Sequence, residues 1–112
     1  MRPQVVRGET SVIRVGCGKL YGTFSDKDEE YQEVFLRLGK CGGCALAFLD
    51  GIGRLVSMGL NMPLTYELIH KAFIGIRCPS PMYDGATQVL SCLDGIAKMI
   101  ESRKEEKEDD NP

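Results

Sequence analysis

Apolar residues along the first third of the chain fall in short runs separated by polar and glycine-rich stretches. Thr10 to Val15 (TSVIRV) is rich in β-branched residues, and Leu20 to Phe24 (LYGTF) is a short apolar and aromatic run. The residues between them, Gly16-Cys17-Gly18-Lys19, have the composition of a hairpin connection, because glycine supplies the positive φ that tight hairpins need. The charged block Asp26 to Glu30 reads as a turn. After it YQEVFLRL alternates loosely, with Tyr31, Val34 or Phe35, Leu36 and Leu38 as apolar positions. This predicts a third strand ending at Gly39, and so a three-stranded antiparallel meander.

From Cys44 the period lengthens. Ala45, Phe48, Leu49, Ile52, Leu55, Val56 and Leu60 recur every three to four residues, as one face of a helix about 16 residues long. Gly51, Gly53 and Gly59 each cost such a helix roughly 1 kcal/mol, and close packing against the sheet is the expected reason for all three. Pro63 suits the first position of a second helix, with Leu64, Leu68, Ile69, Ala72 and Phe73 inward and a stop at Gly75. Cys78 to Gly85 (CPSPMYDG) reads as a loop, and a third helix follows Ser91 with Ile96, Ala97 and Ile100 inward. From Glu101 the apolar stripe is lost. Six acids and three bases in ESRKEEKEDDNP predict a solvated, fraying helix end and a disordered tail. The order β-β-β-α-α-α is that of an α+β layer with three helices on one face of the sheet, and no internal repeat interrupts it. The predicted organisation is a flexible lead-in over 1–8, one domain over 9–101 and a charged tail over 102–112.

At 112 residues the chain has room for a single modest core, burying ~65% of its unfolded surface. A net charge of −2 and a pI near 5.4 give no footprint for nucleic acid. No apolar run reaches a membrane-spanning length, and Met1 to Thr10 holds no signal-peptide core, so a cytoplasmic protein is expected. The compositional outlier is five cysteines. An odd number without a secretory signal argues against a disulfide framework and leaves metal binding, redox chemistry or inert burial. His70 alone is too few for most mixed-ligand sites, and its mid-helix position reads as surface.

On the predicted map all five thiols fall at element ends: Cys17 at the hairpin, Cys41 and Cys44 between the third strand and first helix, Cys78 after the second helix, and Cys92 at the start of the third. Cys44 and Cys92 lie at helix N-termini, where unpaired N–H groups favour an anionic sulfur. Lys19, Lys40 and Arg77 neighbour the thiols, and solvation is the ordinary state of such side chains. Four converging thiolates suit zinc or an iron–sulfur cluster. Asp94, two residues after Cys92, is either a tuning ligand or a helix N-terminal acid favoured by the dipole. Met82 and Tyr83 are either a partner contact or a loop packing onto the site.

The stretches GETSVIRVGCGKLY, EVFLRLGKCGGCALAFLDGIGRLVSMGL, GIRCPSP and LSCLDGIAKMIE resemble the TSCPD domain, the C-terminal part of adenosylcobalamin-dependent (class II) ribonucleotide reductases, which also occurs as small stand-alone proteins. The resemblance runs from about Gly8 to Glu101. The name-giving Thr-Ser-Cys-Pro-Asp stands here as Leu90-Ser91-Cys92-Leu93-Asp94, matching at serine, cysteine and aspartate. It implies a four-thiol site of Cys17, Cys44, Cys78 and Cys92, with Cys41 a bystander or alternate ligand. The layout is also similar to that of the NifU-like iron–sulfur scaffold proteins.

The implied function is a zinc-binding accessory protein of deoxyribonucleotide synthesis, partnered by a ribonucleotide reductase or another protein. The family label would be ribonucleoside-diphosphate reductase. Yet 112 residues cannot hold the barrel, cobalamin site and nucleotide site of the reaction, so the chain alone is not expected to be catalytic. Two alternatives stand beside it. One is a redox protein with Cys44 as nucleophile and Cys41 as resolving thiol, an order opposite to the thioredoxin-like one. The other is an iron–sulfur or metal carrier.

Overall fold

The computed structural model describes residues 7–25, 32–39 and 44–109, with the backbone alone for Cys44 and residues 105–109. Strands β1 (Glu9–Val15), β2 (Gly18–Ser25) and β3 (Glu33–Gly39) form an antiparallel sheet in that order. Helices α1 (Cys44–Leu60) and α2 (Tyr66–Phe73) follow, then a small hairpin of β4 (Met82–Asp84) and β5 (Thr87–Val89), then helix α3 (Cys92–Asp109). The α+β meander with three helices is the architecture expected from the hydrophobic periods.

Register follows from which residues leave water. Ile13 pairs with Leu20, Leu20 with Leu38, and Phe24 with Val34, so the apolar side chains of all three strands share one face. Val15 and Leu36 complete that buried face, and α1 and α3 cover it. The hairpin is tighter than its composition suggested: Val15 pairs with Gly18, leaving Gly16-Cys17 as the turn. In β3 the pleat resolves the ambiguous pair. Val34 is buried and Phe35 lies on the outer face, 51% exposed. Tyr31 falls outside the described residues.

Helix α1 corrects the expected stripe. Leu49, Val56 and Leu60 are buried, but Phe48 and Leu55 are exposed. The helix is rotated so that Gly53 meets the strand: a Cβ there would sit 3.2 Å from the Val34 carbonyl oxygen. At 100° per residue Phe48 and Leu55 then point about a quarter-turn or more away from the Leu49-Gly53-Val56-Leu60 line. Close sheet packing thus explains one of the three helix glycines. Gly59 makes room for Leu64, and a Cβ at Gly51 would touch nothing among the described residues within 4 Å.

The same helix completes the free edge of β3. The Ser57 hydroxyl accepts from the Val34 N–H (2.8 Å) and donates to the Val34 carbonyl (3.1 Å). One turn later Asn61 repeats the pattern on Gln32, accepting at 3.0 Å and donating at 2.7 Å. A side chain of α1 and one of the turn just after it therefore imitate a neighbouring strand.

Helix α2 starts later than Pro63. Thr65 is its N-cap, its hydroxyl accepting from the Leu68 N–H, and Pro63 belongs to the preceding turn. Its main neighbour is α3, so only a narrow stripe is covered: Ile69 is buried, with Tyr66 and Phe73 partly so. Leu68 and Ala72 face solvent, contrary to the broader stripe expected. The stop at Gly75 holds, with φ +82°. The segment read as a loop includes the β4–β5 hairpin, turned at Gly85 (φ +64°) and tied to the edge of β1 where the Asp84 carboxylate accepts from the Arg14 N–H. Helix α3 buries Ile96, Ala97, Met99 and Ile100 and continues to Asp109. Arg103, expected to be solvated, is buried with its guanidinium 4.5 Å over the Phe24 ring.

Ser57→Ala leaves a donor and an acceptor of buried Val34 without those bonds. It should lower the unfolding free energy by about 1–3 kcal/mol in a denaturant titration, and exposed Asn61→Ala by less.

Candidate metal centre

The thiols are best located through the backbone segments that carry them. Cys17 occupies the exposed tip of the β1–β2 turn. Beside it the chain of Cys78 to Ser80 passes so closely that a Cβ at Gly16 would overlap the Ser80 carbonyl. Only glycine permits this approach.

Cys78, a half-buried free thiol, is joined to the start of α3 by two hydrogen bonds. The Cys78 N–H donates to the Leu90 carbonyl (2.9 Å), and the Ser91 hydroxyl donates to the Ile76 carbonyl (2.6 Å). Cys92, the first residue of α3, is half-buried against the core. The first turn of α3 lies under the hairpin, because Gly95 brings it within 3.0 Å of Val15 and 3.2 Å of Leu20, measured from a Cβ at that glycine.

The fourth segment enters from the other side. β3 ends at Gly39, which is paired with Lys19 and lies against Gly18. α1 runs antiparallel to β3, with Gly53 level with Val34 and Leu36. Nine helical residues and four strand residues both span about 13–14 Å, so the Cys44 backbone is level with Gly39. The segments bearing Cys17, Cys44, Cys78 and Cys92 therefore gather at one end of the sheet. Cys41 and Lys40 lie outside the described residues, and with them the Cys41-x-x-Cys44 pairing. Among the described residues no three His, Cys, Asp or Glu side chains come close enough to hold a metal ion.

The Ser80 N–H donates to Cys78 Sγ at 3.3 Å. Cys92 sits in the first turn of α3, at the positive end of the helix dipole. An open cleft of about 510 Å³ beside Cys17 is lined by Arg14, Lys19, Tyr21 and Met82. Lys19 and Arg77 are exposed. Met82 thus packs near the turn, whereas Tyr83 is 62% exposed.

Asp94 has a different task from metal ligation. It is 1% exposed, and its two carboxylate oxygens accept from the Gly75 N–H (2.8 Å) and the Leu90 N–H (2.9 Å). Ser91 caps the same helix by accepting from the Asp94 N–H (3.1 Å). The Ser-x-x-Asp spacing was the available signal for this clamp, as in a capping box, although the acid reaches one residue further back than in that motif. His70 is also engaged: its Nε2 lies 2.6 Å from Glu101 Oε1, joining α2 to α3.

Among the described residues no helix is long and apolar enough to cross a membrane. The TSCPD domain family model matches residues 2–104. No curated protein and no solved structure matches the chain.

Asp94→Ala removes the acceptor of two backbone donors. It should lower the unfolding free energy by about 2–4 kcal/mol, measured by chemical denaturation, with Asp94→Asn losing less.

Proposed function

The chain belongs to the TSCPD domain family, which links it to the C-terminal domain of ribonucleotide reductases, and on that premise we propose that it is a zinc-binding accessory protein of ribonucleotide reduction. Cys17, Cys44, Cys78 and Cys92 hold the metal as a closed structural site, and Cys41 is a bystander or alternate ligand. The observation that carries this reading is the gathering of four cysteine-bearing segments at one end of a single sheet. These segments are a hairpin tip, a proline-containing loop and two helix starts.

Zinc supplies cross-linking there: four thiolates joined through one ion tie together segments far apart in sequence, and binding free energy becomes folding free energy. The Ser80 N–H is aimed at Cys78 Sγ, and Cys92 stands at the N-terminus of α3. Asp94 and Ser91 fix the start of α3 against the loop that carries Cys78. The folded unit then acts by docking on a reductase or a related partner of nucleotide metabolism, without a catalytic residue of its own.

Elemental analysis of anaerobically purified chain tests the site. About one zinc per chain is expected, with no visible colour, and a chelator should collapse the fold. Cys92→Ser should lose the metal and Cys41→Ser should keep it. Full metal content in Cys92→Ser would overturn the four-thiolate site. Stoichiometric iron with visible absorbance would favour a cluster carrier instead. Metal-free folded protein that exchanges disulfides through Cys41 would favour the redox reading.

A further inference from the structure

Helix α1 has a second apolar face, opposite the one that packs on the sheet, and the turn after it extends that face. Phe48, Leu55 and Met58 of α1 and Met62 of the turn are 72, 69, 59 and 66% exposed. Together with Gly51 these positions advance in alternating steps of three and four residues, which is the spacing of a helix–helix seam. Phe35 of β3 extends the patch across a shallow groove that it shares with Met58 and Met62. A surface monomeric helix has no reason to concentrate four large side chains on one solvent-facing line.

Gly51 sharpens the point. Gly53 is required by the backbone of β3 and Gly59 by Leu64, but nothing among the described residues approaches Gly51. A helix-interior glycine with no neighbour among the described residues carries a penalty that their packing does not repay. It becomes intelligible when another backbone passes close to it, and it sits in the middle of the exposed seam.

We propose that the outer face of α1 is the interface of a two-fold homodimer, with α1 packed antiparallel on α1 of a second copy. A dyad between Gly51 and Leu55 sets Leu55 of each copy over Gly51 of the other, and Phe48 over Met58. Large therefore meets small at the centre, and large meets large on the flanks. The seam exposes on the order of 500 Å² of apolar surface, and Phe35 with the groove wall brings it near the about 800 Å² that each partner buries in a stable complex. An isologous contact needs only this one self-complementary patch.

Sedimentation equilibrium of the full chain, from low micromolar to about a hundred micromolar, tests the proposal. The expected mass is twice the 12.4 kDa of one chain. Gly51→Gln has space for its side chain within one copy and replaces glycine by a better helix former, so the fold is kept while close approach is blocked. It should weaken dimerisation by roughly tenfold or more at unchanged helical circular dichroism, and Leu55→Gln should do the same. Monomeric protein across the whole range overturns the proposal. So does a dimer whose dissociation constant neither substitution moves, since its interface then lies elsewhere.

Discussion

The second half of the molecule depends on one buried carboxylate. Asp94 accepts from Gly75, just past α2, and from Leu90, just past β5, while its own N–H is capped by Ser91. These bonds hold both ends of the segment from Ile74 to Leu90, whose middle is tied to β1 through Asp84. Most of it is exposed, and its apolar contribution to the core is chiefly Val89. An unpaired buried charge would cost several kcal/mol, so the carboxylate and its two donors require each other. The position of Cys78 relative to Cys92 follows from the same clamp. Geometry at the candidate centre is thus set by a polar interaction that lies outside it.

The sheet and the helices were legible because their hydrophobic periods are clean. Ile13 and Val15, Leu20 and Phe24, and Leu36 and Leu38 keep an even spacing within their strands, and the structure places them on one face. Faces were less legible where two apolar residues stand side by side. Phe48-Leu49 and Leu55-Val56 offer a helix two adjacent choices, and the rotation was decided by Gly53, whose missing Cβ lets the strand backbone in. Periodicity ranks apolar residues and says nothing of where a side chain is absent. The β4–β5 hairpin was hidden by the two prolines before it, although Gly85, after Asp84, carries its turn.

The candidate site was legible only as a set of positions. Cysteines at element ends, with glycines near three of them, suggested convergence; the backbone segments of Cys17, Cys44, Cys78 and Cys92 lie toward one end of the sheet, with no three ligand side chains brought together among the described residues. The role of Asp94 was less accessible, since an acid at a helix start is favoured by the dipole whether or not it reaches anything else. What decided it was two N–H groups, one of them 19 residues earlier in the chain. Long-range hydrogen bonds of this kind leave no periodic trace.

The side chains of Ser57 and Asn61 on the edge of β3 have a bearing on how the protein meets others. Main-chain groups of Gln32 and Val34 that a foreign strand would need are already spoken for. At the opposite edge the β4–β5 hairpin stands against β1, with Asp84 on the Arg14 N–H. Recognition by adding a strand to the sheet is thereby discouraged on both flanks. The fold is steered toward partners that read side-chain shape, and away from those that would polymerise it through its backbone.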